Sequence, residues 1–399
     1  MNIVYVKDLF LPTGGYQVNF LSKWQVIHGH KVTIIAGDDM SYWKDSGFID
    51  DEYVNHLSEK DHEFEDRFGV KVIRVHTYKK ISSRMVLEHK YISLMKELKP
   101  DIVFSHLSDS LTSMRIFRIA HKLPFPIITD NHMVEQASFN PHADLFNKFC
   151  RTFITPKLKK NNIPIITLTE ETRTFCKKRY GLDDDMLPLI ELGTDTTIFH
   201  PDEKAKKEFR LANNLDQHAR VFIYTGKIIN TKKVKLLAEA IKEKISDLFV
   251  LIVVGSATNE YGRETVQLLQ TGESKVLLFP TQNMEDLAMF YQASDVAVIP
   301  GACSLSFYDE QACGLPVIGE NIPVMQERVG TDESRGVLYK MDDYLDLRKA
   351  LTKYIEMDER ELKVQSANAI DYIKKSYDYN VLAKRVEDLM KQLINEKKR

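Results

Sequence analysis

Cysteine is scarce in this chain. Cys150, Cys176, Cys303 and Cys313 are four among 399 residues and form no CxxC pair or cysteine–histidine ligand spacing. A disulfide framework and a structural zinc site are therefore not expected, and reduced thiols in a cytoplasmic protein fit the count better. A surplus of either charge is also missing: 55 basic against 57 acidic residues leave a formal net charge of −2. That balance argues against a nucleic-acid partner, which calls for a basic excess. No apolar run approaches the ~20 residues that cross a bilayer. Residues 1–10 enter a strand pattern without the apolar core of a signal peptide. The expected location is cytoplasmic, with a peripheral position at the inner membrane face as the alternative. What is present is ordinary globular composition, 43% hydrophobic and 28% charged, in a chain long enough to predict two domains.

Short apolar runs alternate with helical periodicity from the start. Residues 2–6 read as a buried strand, 11–16 as a turn holding Gly14 and Gly15, 18–27 as a helix and 32–36 as a second strand. Glycine lets a backbone approach a ligand closely, though many tight βα turns need it for conformation alone. Residues 37–68 read as an irregular acidic and aromatic insertion, 70–75 as a strand, and 79–98 as a helix opened by Lys79, Lys80 and Arg84. Strands at 100–105 and 126–130 bring His106, Asp109, Asp130, His132 and Glu135 to one sheet edge, where α/β folds place chemistry. Most histidines at strand ends are hydrogen-bonded structural groups, so this placement does not decide their role. Residues 144–160 are amphipathic and end in Lys157, Lys159 and Lys160. A solvated face is the simpler reading, and a patch formed with Lys79, Lys80 and Arg84 for anionic lipid head groups is the alternative. Asp183–Asp185 read as a solvated turn in place of a metal site. A strand is expected at 187–192.

The second half repeats the alternation. Its organising stretch is residues 301–320, GACSLSFYDEQACGLPVIGE. An apolar strand at 295–300 leads into a helix near 304–313, for which Ser304 or Ser306 is the expected cap. Gly314 stops that helix and a strand follows at 316–319. Strand, loop, helix and strand present a helix N-terminus at a sheet's carboxyl edge. Asp309 and Glu310 lie in this helix. As far as the pattern goes, they are either solvated acids or acceptors for vicinal ribose hydroxyls.

Asp309-Glu-Gln-Ala-Cys-Gly-Leu-Pro-Val317 resembles the E-A-x-A-x-G-x-P-V segment of family 4 retaining glycosyltransferases, which use nucleotide sugars and have the GT-B fold. Residues 193–201, with Gly193, Asp195, Phe199 and Pro201, resemble the family's G-x-D-x-x-x-F-x-P crossing between domains. The turn from Gly226 to Lys233 resembles its G-R-x-x-x-x-K-G loop, with Lys227 and Lys232 in the cationic places and Lys233 where glycine is usual. Gly301 stands where the family carries a further glutamate, and Glu310 stands where alanine is usual.

The resemblance implies an α/β protein with two doubly wound Rossmann-like domains facing across a cleft. It places an acceptor-side domain at 1–195, a nucleotide-sugar domain at 196–375, and a last helix, 376–399, packed back on the first. It also implies retaining transfer of a hexose from a nucleoside diphosphate sugar to a glycan, lipid-linked or small-molecule acceptor, with surface polysaccharide assembly as a natural setting. Lys227 and Lys232 would stabilise the leaving diphosphate, together with the backbone of Cys303, Ser304, Leu305 and Ser306. Asp309, or Glu310 if the helix is rotated, would meet the ribose. Thr281 would lie by the base, Gly14 and Gly15 by the diphosphate and acceptor, and His132 would orient sugar hydroxyls, with Glu135 as a base to test. No cofactor and no obligatory metal are expected. A nucleotide-sugar epimerase on the same fold, or a non-catalytic sugar-nucleotide-binding subunit, are the rival readings.

Overall fold

A computed structural model describes residues 1–81, 84–135 and 142–398. The chain forms two compact units, residues 1–192 with 382–399, and residues 193–381.

The first unit holds β1 (Asn2–Lys7), β2 (Lys31–Gly37), β3 (Lys71–Val75), β4 (Thr77–Ile81), β5 (Arg84–Leu87), β6 (Ile102–Ser105), β7 (Ile127–Asn131) and β8 (Ile165–Thr167). Six of these make a parallel sheet in the order β3-β2-β1-β6-β7-β8, while β4 and β5 pair as a separate antiparallel hairpin. The second unit holds β9 (Arg220–Thr225), β10 (Phe249–Val254), β11 (Lys275–Phe279), β12 (Val296–Ile299), β13 (Val317–Glu320) and β14 (Gly336–Tyr339), parallel in the order β11-β10-β9-β12-β13-β14. Both sheets are Rossmann-like and doubly wound, the fold of GT-B glycosyltransferases. Strand order reverses between β1 and β6 and between β9 and β12, the points at which such sheets open a crevice beyond their carboxyl ends.

Continuous apolar strands suit this arrangement because helices cover both faces of a parallel sheet. In the second unit the period-two alternation is plain. Val221, Ile223, Val250, Ile252 and Val317 pack into one core, and Phe222, Tyr224, Leu251, Val253 and Ile318 into the core on the other face. Phe222 and Phe249 stack across neighbouring strands with centroids 5.0 Å apart.

Four expectations need correction. The helix expected from residue 79 to 98 is replaced by the β4–β5 hairpin and a helix only at Lys90–Glu97. Met85, Val86 and Leu87 are fully buried at alternate and adjacent core positions, so burial overrides the helical spacing. The insertion at 37–68 is not irregular: it contains the helices Ser41–Asp45, Asp51–Asn55 and Leu57–Phe68. Asp50 caps the second by accepting from Tyr53 N, and Gly69, at φ +68°, stops the third. Residues 187–192 form a single bridge, Thr167 to Leu189, and no strand. The helix expected at 304–313 is the shorter Ser306–Ala312.

Candidate functional site

Three glycines bring the loops at the carboxyl edge of the second sheet into close contact. Gly226 follows β9 with φ +130°, and a Cβ on Gly255, at the end of β10, would lie 1.9 Å from Gly226 O. Across the switch point, a Cβ on Gly301 would meet Thr231 O and the carbonyl carbon of Lys232, each at 2.7 Å. Ala302 N donates to Thr231 O (3.0 Å), and Lys232 Nζ donates to Ala302 O (2.8 Å). The place where the resemblance expects a glutamate is thus closed to any side chain by the lysine-bearing loop itself. Burial lowers the pKa of Lys232, opposed by its electrostatic interaction with Cys303 and Glu310.

Lys233 takes φ +51°, a left-handed conformation that glycine adopts at lower cost, which fits its standing where glycine is usual. Its ammonium reaches Glu320 Oε1 at 2.6 Å and Asp342 Oδ1 at 2.7 Å, so it serves the end of β13. Lys227 is exposed directly after Gly226, and its carbonyl accepts from the Tyr224 hydroxyl at 2.8 Å. Thr281 is exposed, two residues beyond β11.

Ser306–Ala312 begins without a side-chain cap: Leu305 holds the N-cap position, and the Ser304 and Ser306 hydroxyls bond each other at 2.6 Å. The expected serine cap is therefore not made. Arg328 Nη1 lies 2.8 Å from Cys303 Sγ, with its guanidinium over the rings of Phe307 and Tyr308. The two acids point to different partners. Asp309 Oδ1 accepts from the Thr194 hydroxyl at 2.5 Å, and burial raises its carboxyl to about 7. Glu310 is buried on the sheet side. Its Oε1 accepts from Thr225 Oγ1 at 3.3 Å, while Oε2 has no hydrogen-bond partner among the described residues. Burial, then the neighbouring Asp309, raises Glu310 to about 8. A neutral carboxyl of this kind can both donate to and accept from a hydroxyl pair.

In the first unit the carboxyl ends of β1, β6 and β7 gather a second polar cluster. Asp130, at 0% exposure, accepts from Leu107 N (2.6 Å), His106 Nδ1 (2.8 Å) and His132 Nε2 (3.1 Å). Burial opposes its charge, but the two imidazole donors outweigh it and hold the carboxylate ionised. Burial keeps His106 neutral, lowering it to about 3. His106, Asp130 and His132 each offer a ligand atom within 4.8 Å of the others, so the trio has the composition of a cation site. Lys7, buried at the end of β1 and electrostatically coupled to Asp130, already supplies positive charge there. Glu135 is held by Arg179 through Nε–Oε1 and Nη2–Oε2 contacts of 2.9 and 2.7 Å, which lowers its pKa and makes it a poor base. Gly14 N donates to Leu11 O, and a Cβ on Gly14 would strike the Tyr16 ring at 2.6 Å; Gly15 is exposed at the tip of that turn.

Among the residues singled out from sequence, Lys232, Cys303 and Glu310 come within electrostatic reach of one another, and His132 joins Asp130 and His106. Sequence reasoning passed over Lys7 and Asp8. Both are buried, with burial lowering the lysine to about 8 and raising the aspartate to about 7. The available signal was a lysine and an aspartate, adjacent in sequence, closing the apolar run Ile3–Val6 at the switch point.

Residues 205–375 match the family model of glycosyl transferases group 1. A D-inositol 3-phosphate glycosyltransferase of Rhodococcus jostii is 28% identical over 171 residues, which is 40% of this chain and 37% of that relative. The chain spans less than half the length of most such curated relatives. Among solved structures, a glycosyltransferase from Rickettsia africae covers 98% of both chains at 16% identity and TM-score 0.72. Anabaena Alr3699/HepE in complex with UDP covers 98% of this chain and 100% of that one at 13% identity and TM-score 0.70, and the same protein has been solved with UDP-glucose.

Proposed function

We propose that this chain is a retaining family 4 glycosyltransferase that moves a hexose from a nucleoside diphosphate sugar to a glycan, lipid-linked or small-molecule acceptor. The observation that carries the reading is the second unit's switch point. There Lys232 is pinned to the β12 loop beside the buried, half-satisfied Glu310, and three glycines let the surrounding loops pack backbone to backbone. The match of residues 205–375 to glycosyl transferases group 1 covers this same region. UDP and UDP-glucose in a structural neighbour support a nucleotide-sugar donor.

In the proposed reaction the bond from the anomeric carbon to the diphosphate oxygen breaks, its electron pair leaving with the phosphate. Lys232 and Lys227 stabilise that growing charge in a water-poor site. Lysine offers point charges without the bidentate fork of arginine, so the grip depends on where the loop holds each ammonium. The acceptor hydroxyl bonds the same face of the sugar and passes its proton to the departing phosphate oxygen. Glu310 takes the ribose hydroxyls, with Asp309 bracing the helix through Thr194. Thr281 lies by the base, the Cys303–Ser306 backbone by the phosphates, and Gly14, Gly15 and His132 serve the acceptor and the sugar hydroxyls. No metal enters any step.

Calorimetric titration with UDP and GDP tests the donor site. Lys232→Ala and Glu310→Gln are each expected to weaken the preferred nucleotide at least about tenfold. Equal affinity in all three proteins refutes the assignment. Incubation with labelled nucleotide sugars, with and without acceptors, tests the reaction. Transfer with retained anomeric configuration is expected, whereas donor epimerisation without an acceptor, or binding with no turnover, would replace this reading by one of its rivals.

A further inference from the structure

We propose that residues 143–160 dock the N-terminal unit onto an anionic lipid bilayer. This goes beyond the transfer reaction and does not depend on it. The segment is one continuous helical run: Ala143–Phe149, a π-helical turn Cys150–Ile154, and Thr155–Lys160. Its inner stripe, Cys150, Ile154 and Leu158 with Phe146 packed alongside, joins the core of the unit. A second apolar stripe, offset by one position, is exposed. Leu145 is 69%, Phe149 43% and Phe153 55% exposed, and Leu145 is the most exposed large apolar side chain among the described residues. The rings of Phe149 and Phe153 lie 5.3 Å apart, so the stripe is continuous. A helix whose core-facing stripe is complete has no folding reason for three more large apolar side chains on its outer side.

Charge identifies the occupant. The segment carries Lys148, Arg151, Lys157, Lys159 and Lys160 against one acid, Asp144, in a chain whose net charge is −2. Asp144 is bound by Arg179, which also holds Glu135. Of the nearby acidic turn, Asp183 is paired with Lys159 and Asp184 with Lys177. Lys148, Arg151 and Lys160 enter no ion pair among the described residues. An apolar stripe flanked by uncompensated cations is the pattern of a helix lying in the plane of a bilayer interface. Three side chains make too narrow a strip for a stable protein interface, which buries roughly 800 Å² per partner. No helix of the described residues is long and apolar enough to cross a membrane, so the contact is in-plane.

Flotation of the full-length protein tests this, using vesicles of phosphatidylcholine mixed with phosphatidylglycerol and vesicles of phosphatidylcholine alone. Binding is expected to the mixed vesicles, to weaken at high salt, and to be poor on the neutral ones. Phe149→Ser with Phe153→Ser, and separately Lys148→Glu with Lys160→Glu, should each cut partitioning at least about tenfold. All four side chains are exposed, and circular dichroism checks that the variants fold. Three results would overturn the proposal: no binding, variants that partition like the parent, or a lipid-free dimer that dissolves on the Phe149→Ser/Phe153→Ser change, which would assign the stripe to a second copy of the chain.

Discussion

Asp130 receives two imidazole N–H groups on one oxygen, Oδ2, and a backbone N–H on the other. An ionised carboxylate can only accept, so His132 carries a proton on Nε2, and in the neutral ring Nδ1 is then the acceptor for a ligand hydroxyl. Nitrogen-15 NMR should show that tautomer in the parent protein. Asp130→Asn supplies one acceptor and one donor in place of two acceptors. It should shift His132 toward the other tautomer and cost about 3 kcal/mol of stability, because a buried charge network loses its centre. An unchanged His132 tautomer in the variant would show that Asp130 does not set it. Glu310 provides a second residue-level test. Its folded pKa of about 8 lies above its ordinary value of 4.5, so its contribution to stability is complete below the ordinary value and is lost as pH rises through about 8. Asp309, raised to about 7, acts with the same sign. Denaturant unfolding of the parent should therefore weaken from pH 5 to pH 8, and the Asp309→Asn/Glu310→Gln double variant should show a flatter dependence. A double variant with the parent's slope would place the linkage elsewhere, Asp8 being the next raised carboxyl.

At the scale of elements, the loop from Gly226 to Lys233 and the loop from Pro300 to Leu305 behave as one piece. They share backbone and side-chain hydrogen bonds, and Gly301 has no space around it. Gly301→Ala forces a Cβ against backbone atoms, which cannot swing aside as a side-chain end can. A loss of about 2 kcal/mol or more is expected in denaturant unfolding, with nucleotide binding lost beyond what the stability change explains. A neutral Gly301→Ala would mean that the loops are free to part. This coupling also shows what the sequence could and could not yield. The strands were legible because parallel sheets buried on both faces write themselves as apolar runs, whereas the lysine and glycine places of the proposed site were named from the family resemblance alone. The β4–β5 hairpin was not, because its lysines carry no periodicity, and Met85, Val86 and Leu87 acquire their meaning only from their burial in the fold. The reason for Gly301 was hidden for a related cause: it lies in a backbone 70 residues away in the chain, which no local pattern records. The division of labour between Asp309 and Glu310 likewise depends on Thr194 and Thr225, which are remote in sequence.

At the scale of the whole molecule, the first unit is discontinuous: the chain leaves it at Leu192 and returns at Leu382. The returning helix buries Leu382, Ala383, Val386, Met390 and Leu393. Glu387, 3% exposed, lies 2.6 Å from His28 Nδ1 and 3.4 Å from His30 Nε2, and Asn162 donates to Glu396 at 2.7 Å. Burying those apolar side chains contributes on the order of 10 kcal/mol before entropic costs, comparable with the ~5–15 kcal/mol that holds an average domain together. The first unit should therefore not fold until the end of the chain is available. A chain stopped at residue 381 should keep the second unit's transition in calorimetry and lose the first unit's. A fragment of residues 1–192 should be largely unstructured by circular dichroism, and a peptide of residues 379–398 should restore its signal on mixing. His28 and Glu387 make the pairing specific, so Glu387→Leu in the peptide should rescue less well than the parent sequence, by leaving the His28 imidazole without its acceptor. If the truncated chain melts in two transitions at the parent's temperatures, the last helix only covers the first unit and does not complete it.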